Sequence, residues 1–250
     1  PEEAIAKCDE NTIRVVPIMG VTWTGLNDDV KALNDALDAY NQKTGYDIPI
    51  HVDAASGGFI LPFLKPELEW DFRLKWVLSI STSGHKYGLV YPGLGWIVWK
   101  DKKFLPDSMS FSVNYLGAVV TQVGLNFSRP AAQILGQYFQ FIRLGYEGYK
   151  AIQHNSMEIA KYLHGEIGKM KPFKNYSSEV TNPLFIWEMK GEYAKQCKWT
   201  LYDLQDKLRP NGWMVPAYTL PATLEKTIVM RIVVRQGFSR DMADQLLGDI

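Results

Sequence analysis

A lysine set among small residues at the end of an apolar run is the feature of this chain best suited to chemistry. The run Trp76-Val77-Leu78-Ser79-Ile80 gives way to Ser81-Thr82-Ser83-Gly84, which presents His85 and Lys86 ahead of Tyr87 and Gly88. A lysine amine becomes a nucleophile when burial or a neighbouring cation disfavours its ammonium form, and it then holds a carbonyl compound as a Schiff base. Read alone, the same stretch also suits a surface turn with an ordinary lysine. Asp53 is the second chemical group. It follows Ile48, Ile50 and Val52, at the end of an apolar run where an unpaired carboxylate is costly to bury. It either caps the turn that follows or faces a cationic heterocycle nitrogen, which a carboxylate keeps protonated. Ala54, Ala55, Gly57 and Gly58 leave room for a flat ligand against the backbone. Thr22, Ser83 and Ser128 carry hydroxyls that serve either the structure or the oxygens of such a ligand.

The elements that must position these groups alternate in type. Residues 13–20 read as a buried strand ending at Gly20. Asp28-Asp29 starts a helix with Val30, Leu33 and Leu37 on one face, and residues 41–45 stop it. Ile48, Ile50 and Val52 alternate as a strand, and residues 76–80 and 95–99 are further strands. This order predicts an α/β fold with a mostly parallel sheet and right-handed crossovers. Ligands of such sheets sit beyond the carboxyl ends of the strands, where Thr22, Asp53 and Lys86 fall. Residues 101–129 are long and irregular, a candidate active-site loop or flap. From Pro130 the pattern is helical nearly to Met170, with breaks expected at Gly145 and Gly148 and an end at Pro172. The remainder reads as a smaller α/β unit. It has strands at 184–187, 213–220 and 228–234, a helix at 201–208 and a partial helix from Ser239. The division therefore falls near Met170, with a large domain over 1–170 that includes its connecting helix and a small domain over 171–250.

Composition excludes several classes. With 27 basic and 27 acidic residues, the chain has no electrostatic footprint for nucleic acid or an anionic membrane. Cys8 and Cys197 lie far apart and support neither a disulfide framework nor a zinc site. They read as reduced thiols of a cytosolic protein, so the expected location is cytoplasmic. No signal peptide and no long apolar span is present, and no metal is implied. Asn126-Phe127-Ser128 and Asn175-Tyr176-Ser177 match a glycosylation pattern that recurs by chance. The chain opens at Pro1 and stops at Ile250 within a helical run, and so reads as an internal fragment.

Several motifs, in order, carry a resemblance. His51-Val52-Asp53-Ala54-Ala55-Ser56-Gly57-Gly58-Phe59 with Ser83-Gly84-His85-Lys86 resembles the pyridoxal-phosphate-dependent group II decarboxylases. Asp71-Phe72-Arg73-Leu74, Tyr115-Leu116-Gly117, Asn126-Phe127-Ser128-Arg129-Pro130 and Gly212-Trp213-Met214-Val215-Pro216 are similar to the glutamate decarboxylases within that group. The resemblance implies the type I fold of pyridoxal-phosphate enzymes, with an incomplete large domain and a smaller C-terminal α/β domain. It implies pyridoxal 5'-phosphate as cofactor and decarboxylation of L-glutamate to 4-aminobutyrate and carbon dioxide.

By the same resemblance, Lys86 is the Schiff-base lysine and Asp53 the partner of the pyridine nitrogen. Ala55 packs against the ring, and Thr22 lies on the ring and carboxylate-binding side. Ser83 and His85 are phosphate-side contacts, and Ser128 is a phosphate contact reaching from a neighbouring subunit. Tyr115 is the proton donor to Cα with His85 as second choice, and Arg231 engages the substrate α-carboxylate. A homodimer or larger assembly with shared active sites is implied. Tyr87 and the run Leu89-Val90-Tyr91-Pro92 depart from the family pattern, and the residues that grip the distal carboxylate are expected before Pro1. Two other readings stand beside this one. One is a decarboxylase of another amino acid, such as an aromatic one. The other is a catalytically inert folding or interaction unit.

Overall fold

The structure is a computed structural model that describes residues 1–114, 117, 119–124 and 129–250. Tyr115 and Ser128 lie outside the described residues. The chain forms two compact units, each interrupted in sequence. The first comprises Pro1–Ile18, Asp29–Gly58 and Pro66–Arg143, and the second Met19–Asp28, Phe59–Lys65 and Leu144–Ile250.

The first unit opens with the short helix α1 (Glu2–Ile5), followed by α2 (Val30–Thr44). Asp29 caps α2 by accepting from Ala32 N–H at 2.9 Å, and Gly45 ends it by donating to Asn41 O at 2.8 Å. Val30, Leu33 and Leu37 are buried, as their helical spacing predicts. Two asparagines share that buried face. Asn41 brackets Ile48 by donating to its carbonyl at 3.0 Å and accepting from its N–H at 3.2 Å. Asn34 accepts from Trp76 N–H at 2.9 Å. Their amides thus satisfy backbone groups just ahead of two strands, β1 (Ile50–Asp53) and β2 (Val77–Ser83).

β1 and β2 are parallel, with His51 opposite Ser79 and Asp53 opposite Ser81. β3 (Gly95–Trp99) joins the far side of β2 antiparallel, with Ser83 opposite Gly95. The described sheet is therefore mixed, because an apolar run does not encode strand direction. Residues 13–20 form no strand. They follow β1 through isolated parallel bridges, Val15 to Ile50 and Ile18 to Asp53. Pro17 has no N–H to give a ladder, and Ile13 is 77% exposed, so the expected buried strand is corrected to an edge segment. Within 101–129 lie two 3₁₀ turns, Lys102–Phe104 and Asp107–Met109, and the antiparallel pair β4 (Phe111–Val113) and β5 (Val120–Gln122).

The second unit contains the short helix α3 (Leu61–Leu64) and most of the long helix α4 (Ala132–Lys169). α4 breaks at Gly145, where φ is 55° and ψ is −164°, while Gly148, also expected to break it, remains helical. Beyond it come β6 (Phe173–Asn175), β7 (Leu184–Met189), α5 (Gly191–Gln196), α6 (Leu201–Leu208), β8 (Ala217–Thr219), β9 (Ile228–Val233) and α7 (Arg240–Asp249). The strands form an antiparallel sheet in the order β6-β7-β9-β8. Its core gathers Leu163 and Ile167 of α4, Phe185 and Trp187 of β7, Met230 and Ile232 of β9, and Leu246 of α7. Ser239 caps α7, and Thr200 caps α6 in a reciprocal box with Asp203. The strand expected over 213–220 shrinks to β8, because Met214 and Pro216 are exposed and only three residues pair with β9. No described helix is long and apolar enough to cross a membrane.

Candidate functional site

Parallel pairing places the carboxyl ends of β1 and β2 on one edge of the first unit's sheet, and there the sequence-predicted residues collect. The pairing continues past the end of β1. Ala54 N–H donates to Ser81 O at 2.9 Å, and Ser83 N–H donates to Ala55 O at 3.2 Å. Asp53 accepts from Ala55 N–H at 3.0 Å through Oδ1, and Oδ2 accepts nothing among the described residues. Asp53, Ala55 and Ser83 are all half-buried. The backbone then turns back on itself, with Gly58 N–H donating to Ala54 O at 2.8 Å. His51, two residues before Asp53, contacts Ser79 Oγ at 2.7 Å and Ser81 Oγ at 3.3 Å. Burial lowers the His51 pKa, Arg14 adds to that effect, and Asp53 opposes it.

The turn leaving β2 carries His85 and Lys86, both half-buried. Lys86 N–H donates to Ser83 O at 3.3 Å, and Gly84 N–H donates to Leu94 O at 3.1 Å. His85 Nδ1 lies 2.9 Å from Leu94 O. A carbonyl only accepts, so Nδ1 carries a proton. Beneath the turn lies Gln137 of α4, fully buried, donating to Gly88 O at 2.8 Å. A Cβ on Gly84 would come within 2.5 Å of Gln137 Oε1, and one on Gly88 within 2.8 Å of the same atom. Both glycines are needed for this close approach. Sequence reasoning missed Gln137, because a glutamine on a helix about fifty residues downstream carries no local signal. The Asp71-Phe72-Arg73 motif has a structural role. Arg73 pairs with Asp71 at 2.9 Å and donates to the carbonyls of Pro66 and Leu68.

The second unit holds the remaining described residues, Thr22 and Arg231. Thr22 lies in a tight turn in which Gly25 N–H donates to Val21 O at 2.7 Å and Val21 N–H donates to Leu26 O at 2.8 Å. Four side chains hold the carbonyls of this turn. Arg231 Nη1 donates to Thr22 O at 2.6 Å, and Tyr218 Oη donates to Trp23 O at 2.8 Å. Thr181 and Asn182 both donate to Gly25 O, at 3.0 and 2.8 Å, and Asn182 also reaches Asn27 Oδ1 at 2.7 Å. Arg231 is on β9 opposite Ile186, with its guanidinium carbon 5.6 Å from the centre of the Tyr218 ring. Its Nε is buried and has no hydrogen-bond partner among the described residues. Tyr218 and Asn182 were not predicted from sequence. Among the described residues, no cluster of His, Cys, Asp and Glu is suited to hold a metal ion.

Residues 1–190 match the family model of the pyridoxal-dependent decarboxylase conserved domain. The chain belongs to the pyridoxal-dependent decarboxylases. It is 49% identical over 249 residues to a glutamate decarboxylase of Lactococcus lactis, covering all of this chain and 53% of that one. It is 50% identical over 250 residues to glutamate decarboxylase 5 of Arabidopsis thaliana, covering half of it. The structure of a Lactobacillus brevis glutamate decarboxylase superposes with a TM-score of 0.94 at 44% identity, over 99% of this chain and 56% of that one. A Burkholderia pseudomallei sphingosine-1-phosphate lyase shares the fold at a TM-score of 0.78 and 23% identity, over 99% of this chain and 53% of that one. The chain spans about half the length of the curated relatives it matches.

Proposed function

We propose that the whole protein converts L-glutamate to 4-aminobutyrate and carbon dioxide with pyridoxal 5'-phosphate. The observation that carries this reading is the shared sheet edge of Asp53 and the Lys86 turn, in a chain similar along its whole length to glutamate decarboxylases. The residues fit the cofactor. A carboxylate with one oxygen unengaged among the described residues stands at one strand end, small Ala55 follows it, and a lysine turn leaves the neighbouring strand. When bound, the cofactor supplies an electron sink for the pair released as the Cα–carboxylate bond breaks.

This chain's own groups would do the rest. Lys86 would bind the cofactor's aldehyde carbon, and Asp53 would keep its ring nitrogen protonated. Ala55 would pack on the ring, with Thr22 on the ring and carboxylate-binding side. Ser83, His85 and Ser128 would bind the phosphate. Arg231 would hold the α-carboxylate, and Tyr115, or His85 in its place, would deliver the proton to Cα. Each turnover consumes one proton, because the carboxylate leaves as carbon dioxide and Cα takes a proton.

A homodimer or larger assembly, with Tyr115 and Ser128 serving the neighbouring site, belongs to the same proposal. So do a cytoplasmic location and a domain division near Met170. The test is borohydride reduction of the cofactor-loaded whole protein followed by peptide mapping, alongside turnover of a Lys86→Ala variant. A reduced adduct on Lys86 and loss of turnover are expected. An adduct elsewhere, or full turnover without Lys86, refutes the proposal.

A further inference from the structure

The proposed function places Thr22 and Arg231 in the second unit, and Tyr218 contacts Arg231 and the residue next to Thr22. The sequence motifs did not single it out. Its hydroxyl donates to Trp23 O at 2.8 Å, next to the Thr22 carbonyl that Arg231 engages at 2.6 Å. Its ring lies 5.4 Å from the Trp23 ring on one side and 5.6 Å from the Arg231 guanidinium on another. An aromatic face attracts a guanidinium within about 6 Å, and the attraction strengthens where water is excluded. β8 and β9 fix the two partners relative to each other, with Tyr218 opposite Val229 and Arg231 N–H donating to Pro216 O at 3.1 Å.

Resting on the reading of Arg231 as the α-carboxylate anchor, we propose that Tyr218 is a positioning residue for that anchor. Its ring sets the plane of the Arg231 guanidinium, and its hydroxyl fixes the ring by latching onto the Thr22–Trp23 turn. One guanidinium nitrogen is thereby committed to Thr22 O, while Nε stays buried with no partner among the described residues. That geometry turns a flexible side chain into a fork of fixed orientation, which bidentate recognition of a carboxylate requires. Burial pushes the Tyr218 phenol up to about 12, against the opposing pull of Arg231, so the hydroxyl keeps its proton and remains a donor.

The experiment uses the cofactor-loaded whole protein with Tyr218→Leu, Tyr218→Phe and Arg231→Lys. Calorimetric binding of glutarate, which carries two carboxylates, is compared with that of 4-aminobutyrate, which keeps the distal carboxylate and lacks the α-carboxylate. Tyr218→Leu is expected to weaken glutarate binding about tenfold, the scale of one desolvated cation–π contact, and to leave 4-aminobutyrate binding unchanged. KM for L-glutamate should rise by a similar factor with kcat falling less. Tyr218→Phe, which keeps the ring, should recover most of the affinity.

Equal weakening of both probes would mean a general structural defect and overturn the proposal, as would a Phe variant no better than Leu. If Arg231→Lys weakens glutarate but Tyr218→Leu does not, the positioning role alone falls. If Arg231→Lys leaves glutarate binding intact, the anchor reading itself falls, and the positioning role with it. Should Tyr218→Leu not fold, the Phe variant must still show a selective loss for glutarate of about threefold. No selective loss there overturns the proposal.

Discussion

Gly25 and Gly45 share the same positive φ of 79° but not the same surroundings, and the pair separates two costs that usually arrive together. Gly45 ends α2, and nothing lies within 4 Å of where its Cβ would be. Gly25 closes the turn that carries Thr22, and its Cβ would meet Leu184 Cδ1 at 2.5 Å, Leu184 O at 2.7 Å and Leu184 Cγ at 2.8 Å. Placing alanine in the left-handed region costs about 1–2 kcal/mol. The lost freedom of the unfolded chain returns roughly 0.4–1 kcal/mol. Gly45→Ala should therefore destabilise by about 0.5–1.5 kcal/mol.

Gly25→Ala adds an overpacking cost of about 1–3 kcal/mol. The upper part of that range applies because one of the clashing atoms is a backbone oxygen of β7, which cannot rotate away. The expected total is about 2.5–4.5 kcal/mol. Urea titration of both variants, followed by tryptophan fluorescence, gives the comparison. A difference of at least about 1 kcal/mol between them supports the packing argument. Equal losses would refute it, because they would show that Leu184 and its strand yield without cost. Gly25→Ala should also weaken glutarate binding in the whole protein, since the Thr22 carbonyl that Arg231 grips lies on the displaced turn.

Two further outcomes are expected. Gln137→Ala removes the donor to Gly88 O from a fully buried position, so stability should fall by about 2–3 kcal/mol and cofactor retention should fall with it. Unchanged urea midpoint and cofactor content would show that the Lys86 turn does not depend on α4. His51 has a folded pKa below its ordinary value of 6.5, so the unfolded chain binds the extra proton first. Its stabilisation is complete above about pH 6.5 and is lost as pH falls through the depressed folded value. Arg14 and Asp53 act on it with opposite signs, and Ser79 and Ser81 contact it. In urea titrations at about pH 7.5 and 5.5, His51→Gln should lose less stability on acidification than the parent protein. An equal or greater loss would refute the assignment.

What could be read from sequence follows from which interactions are local. α2 and α6 carry their own signals, with caps at Asp29 and Thr200 and buried residues at helical spacing. Asp53, Ala55, Ser83 and Lys86 share a sheet edge because short runs after two neighbouring strands bring them there, and those runs are visible as motifs. Residues 13–20 misled because their apolar content resembles a strand, while the decisive fact is the N–H that Pro17 lacks. The antiparallel direction of β3 was not legible because hydrophobicity is blind to direction. Gln137, Asn182 and Tyr218 were invisible for a common reason. Each acts by donating to a backbone carbonyl far away in sequence, and any polar residue could fill that role until the fold selects one.

That shared role explains why the turns bearing the candidate site need so few contacts of their own. A turn built from small residues exposes carbonyls that no strand or helix satisfies, and buried carbonyls left without donors are costly. In the first unit, the donor to Gly88 O comes from α4. In the second, donors to the carbonyls of residues 22, 23 and 25 come from β8, β9 and the segment ahead of β7. Each turn is thus held at its backbone by side chains that come from elsewhere in the chain. Arg231 is the exception among the candidate residues, since its Nη1 props the Thr22 carbonyl directly. A substitution that displaces this turn, such as Gly25→Ala, must therefore loosen Arg231 as well, and variants at Gly25 and Arg231 will show coupled rather than additive losses in a double-mutant cycle.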